Sequence, residues 1–339
     1  MNLQLNKNFN FALVGHGHHL CYFFKRYKKK FNRSPIIITH KKQKHLKDIK
    51  SMHDPKIYQN LFKLPKAKIF ELEDINSKKG LEILKKNNIK YIFSFSSRFI
   101  FKKKVINLVK KNIFNIHPSL LPEERGAGTF TNRILNRKFF VCATIHIINQ
   151  QIDGGEILMN SKKKYINKGS LPLQFLEKTN ICYKYLIDKF LKNLLLNKKS
   201  KLIKQNEKNK TYNSRYKTDL NGVIDWSLDG KSLESFIKAF SNPYDGAKSK
   251  IFFKKKILFV NFFNCKYVKK SISIHPFLYG RIFYQNKNIV KVYIKDGHLI
   301  IKLKDIKITP NINKIKKFEG KTFFNDYKDI ILTNKIPVI

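Results

Sequence analysis

Apolar positions in the first third of the chain alternate between two periods. Phe9–Val14 (FNFALV) is a short run of the kind that forms a buried strand. After Gly15-His16-Gly17-His18-His19, the residues Leu20, Phe23, Phe24 and Tyr27 recur at helical spacing. Pro35–Thr39 (PIIIT) and Lys68–Leu72 (KIFEL) read as the next two strands, with the basic stretch His40–Lys50 looking helical between them. Gly80–Asn88 reads as a helix and Tyr91–Phe95 as a strand. Lys103–Lys111 follows as a basic amphipathic helix, then Ile113–Ile116 as a strand. Such alternation predicts an α/β fold with a doubly wound, mostly parallel sheet. Ligands of these sheets sit beyond the carboxyl ends of the strands. Ser94–Arg98 and Asn115–Arg125 fall there.

The pattern changes downstream. Leu171–Leu196 carries a long helical period, whereas Lys198–Lys210 is almost entirely Lys, Asn and Gln without period and reads as a linker. Ser232–Phe240 is a short helix, and Pro243-Tyr244-Asp245-Gly246 a turn. Ile257–Phe263, Ile289–Ile294 and Leu299–Leu303 are strand-like, with Asp296-Gly297 as a hairpin turn between the last two. The expected organisation is a catalytic-type domain over 1–197, a linker over 198–211 and a smaller β-rich domain over 212–339.

Composition narrows the class. Hydrophobic residues make up 42% of 339, enough for two cores and against global disorder. Cys21, Cys142, Cys182 and Cys265 are too scattered for a zinc knuckle or redox pair, and fit free thiols in a reducing compartment. No apolar run approaches the ~18 residues of a membrane span, and Met1–Asn10 is unlike a signal peptide. The expectation is a soluble, cytoplasmic protein. A formal charge of +47 leaves two readings open. One is a polyanionic partner such as tRNA, a nucleotide-linked substrate or an anionic membrane face. The other is AT-rich codon usage, consistent with abundant Lys, Asn, Ile, Phe and Tyr, sparse Arg and Lys spread along the whole chain.

The segment with most chemistry is Phe114–Gly128, FNIHPSLLPEERGAG. Asn115 and His117 are two apart on a strand and face one side, away from Ile116. The first supplies an amide donor; the second can give or take a proton. Asp153 lies thirty-six residues beyond His117, before Gly154-Gly155, where a tight turn could hold a carboxylate. Other residues carry weaker readings. His16, His18 and His19 are read as substrate-loop or solvated histidines rather than metal ligands. His146 is read as structural and Glu123-Glu124 as solvated. Arg125 can pair a carboxylate or phosphate, or brace the loop. Trp226 is expected to pack at the domain junction.

Taken together, Asn115, His117, Ser119-Leu120-Leu121-Pro122, Arg125-Gly126 and Asp153 resemble the signature of the 10-formyltetrahydrofolate-dependent formyltransferases. Ser94-Phe95-Ser96-Ser97-Arg98-Phe99-Ile100 resembles the folate loop of the branch that modifies 4-amino-4-deoxy-arabinose on UDP. Asp225-Trp226-Ser227, with Ala239-Phe240 and Pro243–Ala247, resembles the start of the family's C-terminal barrel. The likeness spans residues 9–305 and is densest over 91–160. It implies a Rossmann-like domain followed by an OB-like barrel. It implies formyl transfer to a primary amine through Asn115, His117 and Asp153, without a metal or covalent nucleophile. It also implies that Arg98, Phe99, Ile100, Phe101, Asn149, Gln150, Gln151 and Ile152 hold the folate co-substrate, and that Ser119, Arg125 and Gly126 face the acceptor.

Two branches differ in that acceptor. The tRNA branch has an Arg/Lys/Gly-rich insertion after the second strand, whereas His40–Lys50 has neither Gly nor Arg. That branch also continues Arg-Gly-Ala-Ala-Pro, whereas Arg125-Gly126-Ala127-Gly128-Thr129-Phe130 lacks the Pro. In the best-known member of the amino-sugar branch a second Arg follows Arg-Gly; here Ala127 stands instead. A nucleotide-linked amino sugar is the first expectation and methionyl-tRNA the second. A catalytically idle RNA-binding protein is the third, and the intact Asn-His-Asp set argues against it.

Overall fold

The computed structural model describes residues 2–41, 60–253, 256–271, 273–309 and 321–324. Most of the helical expectation at His40–Lys50 lies outside them. The chain forms two compact units. The first contains the chain up to Thr129, Phe140–Ile166 and Phe175–Ser214; the second contains Phe130–Phe139, Asn167–Gln174 and everything from Arg215.

The first unit is built on a seven-stranded sheet. Its strands are β1 (Asn10–Gly15), β2 (Ile36–His40), β3 (Ile69–Leu72), β4 (Ile89–Phe95), β5 (Ile113–His117), β6 (Thr144–Ile147) and β7 (Ile157–Asn160). The spatial order is β7-β6-β5-β4-β1-β2-β3. The run from β5 to β3 is parallel. β6 joins β5 antiparallel and β7 joins β6 antiparallel, so the sheet is mixed. The order turns back between β1 and β4, the position where ligand crevices open in doubly wound sheets.

The central strands are apolar on both faces because helices cover both. One face stacks Ala12, Val14, Ile38, Ile92 and Ile113 with Leu84, Val105 and Val109. Leu84 comes from helix α1 (Lys78–Lys86) and Val105 from helix α2 (Lys103–Leu108). On the other face Phe11, Phe93 and Phe114 meet Phe190, with ring centroids 5.1–6.2 Å apart. Ser77 caps the first of these helices, accepting the Gly80 N–H at 3.1 Å.

Residues 198–211 are not a linker. Lys199–Lys201 pairs antiparallel with Asn2–Gln4, Ile203 bridges Ile157, and Tyr212–Asn213 lies parallel to Arg125–Gly126. The sparse apolar residues hid this, since a strand added at an edge through backbone groups needs little hydrophobic pattern. The domain limits change accordingly: the first unit runs to Ser214, and two internal segments belong with the second.

The second unit is β-rich. Helix Gly230–Ala239, capped by Asp229 on the Ser232 N–H at 3.1 Å, accompanies two four-stranded antiparallel sheets. The hairpin at Asp296-Gly297 forms between strands Ile289–Ile294 and Gly297–Lys302. Trp226 stacks on Phe323 with centroids 5.6 Å apart and donates its indole N–H to Ser249 Oγ at 3.0 Å, inside this unit's own core.

Candidate active site

At the carboxyl end of β5 the apolar pattern yields to polar side chains. Pairing with β6 sets Asn115 opposite His146 and His117 opposite Thr144. The loop leaving β5 folds back on itself: Ser119 Oγ donates to the Glu123 carbonyl at 2.9 Å, and the Thr144 hydroxyl donates to the Ser119 carbonyl at 2.6 Å. This delivers the Glu124 carbonyl to His117 Nε2 at 2.8 Å. A carbonyl only accepts, so Nε2 carries the proton and Nδ1 is the nitrogen left for proton exchange.

Asp153 comes from the turn between β6 and β7. Its backbone is left-handed, with φ 48°. Gly155 lets the turn lie flat against β6, for a Cβ there would sit 1.8 Å from the Ile147 carbonyl oxygen. The carboxylate spreads over three partners. Oδ2 accepts the Gly126 N–H at 2.9 Å and lies 3.5 Å from His117 Nδ1; Oδ1 lies 3.3 Å from His146 Nε2. The amide of Asn115 reaches the same His146 Nε2 at 3.1 Å. Asn115, His117 and Asp153 therefore converge, although the last is remote in sequence.

His146 is the member that sequence reading set aside as structural. The signal was available in Thr144-Ile145-His146-Ile147, whose alternation places Thr144 and His146 on one face. What the sequence lacked was the register of β6 against β5.

Burial and charge set opposite protonation states. Burial favours the neutral form of Asp153, but the close approach of His146, the charges of His117 and His146 and the Gly126 amide override it, holding the carboxyl at about 2. Burial pushes His117 below its ordinary value, against the opposing pull of Asp153 and the Glu124 carbonyl and with a further push from His146. At neutral pH this pairs an ionised carboxylate with a neutral imidazole, the state of a waiting base.

The remaining expected residues fall into two groups. Arg98, Ile100, Asn149, Gln150, Gln151 and Ile152 are exposed, with Ile100 at 79% and Ile152 at 66%. Phe99 and Phe101 turn their rings into the core. Ser119 and Arg125 are wholly buried. The Arg125 guanidinium donates to Gln205, Glu207 and Tyr212, so it has no face to offer a solute and acts as the loop brace. The Gly126 N–H serves Asp153. His16 is buried, His18 exposed and His19 partly buried. Among the described residues no group of three or more His, Cys, Asp or Glu could hold a metal ion.

Residues 7–171 match the formyl transferase family, a stretch that contains the whole seven-stranded sheet and all four converging side chains. The chain carries a formyl transferase domain over those residues. It is 30% identical over 273 residues to the bifunctional polymyxin resistance protein ArnA of Wigglesworthia glossinidia brevipalpis. That match takes in 74% of this chain and 40% of ArnA, so the chain spans less than half of that relative's length. It is 28% identical to the methionyl-tRNA formyltransferase of Buchnera aphidicola subsp. Acyrthosiphon pisum (strain Tuc7), over 79% of this chain and 78% of that protein. In fold the chain resembles an N-formyltransferase from Helicobacter canadensis solved with folinic acid and dTDP-3-aminofucose. The TM-score is 0.59 at 19% identity, covering 87% of this chain and 98% of that one.

Proposed function

We propose that this formyltransferase moves the formyl group of 10-formyltetrahydrofolate onto the primary amine of a nucleotide-linked amino sugar. The convergence of Asn115, His117 and Asp153 at the end of β5 carries the reading. The amine nitrogen attacks the formyl carbon, giving a tetrahedral oxyanion. One N–H of Asn115 points to His146, and its second N–H is the donor for that oxygen. The amine's proton passes to His117 Nδ1, beside the Asp153 carboxylate that stabilises the imidazolium formed. The same proton goes to the folate nitrogen as its bond to the formyl carbon breaks, which restores the neutral imidazole.

For the co-substrate, support comes from the exposed apolar side chains Ile100 and Ile152 in the two loops expected to cradle a pterin, and from the folinic acid bound by the Helicobacter canadensis neighbour. For the acceptor, support comes from the resemblance of Ser94–Ile100 to the amino-sugar branch and from the dTDP-linked amino sugar of that neighbour. We read the two antiparallel sheets of the second unit as the family's OB-like barrel and the enzyme as cytoplasmic. The match to methionyl-tRNA formyltransferase over 78% of its length keeps methionyl-tRNA as the second reading.

Purified protein with 10-formyltetrahydrofolate should formylate UDP- or dTDP-linked 3- or 4-amino sugars, with Asp153→Asn as the strongly slowed control. Formylation of charged methionyl-tRNA alone, with every amino sugar unmodified, would select the second reading.

A further inference from the structure

The carboxylate of Asp153 is fixed at its tip by Gly126, His117 and His146, but its backbone has a separate holder. Gln205, buried at 5% exposure, donates from Nε2 to the Asp153 carbonyl at 2.7 Å and to the Gly155 carbonyl at 2.6 Å. Its Oε1 accepts from Arg125 Nε at 3.0 Å and from Arg125 Nη2 at 2.7 Å. All of the amide's donors and both acceptor positions are thus occupied. The network also fixes its orientation, because only the NH2 end can face two carbonyls and only the oxygen can face a guanidinium. Arg125 is held in turn by Glu207 and Tyr212. Gln205 and Glu207 come from the stretch that sequence reads as a linker, and Tyr212 follows it directly.

We propose that Gln205 is a positioning residue for formyl transfer: it clamps the Asp153–Gly155 turn so that the carboxylate meets His117, and it ties that turn to the Arg125 brace. The left-handed backbone at Asp153 is one that a non-glycine residue leaves unless its surroundings hold it. Two charge-neutral hydrogen bonds, to the carbonyls on either side of Gly154, supply that hold. A shift of about 1 Å in the carboxylate is enough to lower turnover substantially. This rests on the proposed role of Asp153 in formyl transfer.

Gln205→Glu separates the clamp from the brace. A carboxylate keeps and strengthens the contact with Arg125, but presents oxygen to the carbonyls of Asp153 and Gly155. The expected result is a protein that melts close to wild type, with kcat down by about 10- to 100-fold and KM for both substrates within about threefold. The groups facing His117 are Asp153, His146 and the Glu124 carbonyl. Loosening Asp153 weakens the larger of the two carboxylate charges that favour its protonation, the other being Glu124, so the acid limb of kcat/KM should move to lower pH, as in Asp153→Asn. A merely structural role would leave that limb in place. Gln205→Met, close in volume and without donors, is read by the same two results should Gln205→Glu not be recovered folded. Wild-type kcat with an unmoved limb in a folded variant overturns the proposal. Wild-type protein inert toward every amine would instead overturn the functional reading.

Discussion

Asn115 and His117 reach the site by strand alternation alone, and each should reveal its role by a different kinetic trace. Asn115→Ala removes the proposed oxyanion donor, so kcat should fall by about 10²–10³ with little change in KM for either substrate. Steady-state rates against each substrate check this; an equal loss in KM instead would move Asn115 to ground-state binding. Asp153→Asn keeps the shape and removes the charge. Turnover should fall by about 10²–10⁴. The residual rate should hold to lower pH, because the carboxylate that draws a proton toward His117 is gone. Asn115 and His117 were legible because they stand two apart in one short segment, and Asp153 because Gly154-Gly155 follows it, whereas His146 was not. Its meaning lies in a cross-strand register with Asn115, and in a carboxylate that arrives from the next turn.

At the level of elements, the strands with dense apolar runs emerge near their expected limits; Ile289–Ile294 matches at both ends. Burial on two faces leaves no other place for such runs. Polar strands escaped notice. Tyr212–Asn213 and Lys199–Lys201 contribute backbone hydrogen bonds rather than hydrophobic surface, so neither leaves a period in the sequence. The β6–β7 connection shows how tightly an element can depend on one atom. A methyl at Gly155 would collide with the Ile147 carbonyl, backbone against backbone, with no flexible partner to yield. Gly155→Ala should therefore lower stability by about 1–3 kcal/mol and reduce activity with it, as the turn carrying Asp153 is displaced. Chemical denaturation alongside an activity assay tests this; wild-type values in both would show that the turn can shift freely.

For the molecule as a whole, acid should weaken the fold through buried histidines before it reaches the carboxylates. Burial lowers His19 to about 4, against its hydrogen bond to the Asn180 side chain and with further lowering by His18 and Lys184. The unfolded chain then takes up a proton below about pH 6.5 that the folded chain refuses until about pH 4. Stability should fall across that window by up to about 3 kcal/mol. Asp153 acts at a lower range: its stabilisation is complete above about 3.8 and is lost as pH falls toward about 2. Thermal melts at pH 7 and pH 4.5 should differ less for His19→Asn than for wild type, and an unchanged difference would exclude His19 as the source. The two units are also threaded rather than strung in series. Phe130–Phe139 and Asn167–Gln174 belong to the second unit, yet each is flanked on both sides by stretches of the first. A graft exchanging everything after Ser214 for a relative's C-terminal half would leave two pieces of the original module behind, so a chimera meant to transplant acceptor choice must carry three inserts, not one.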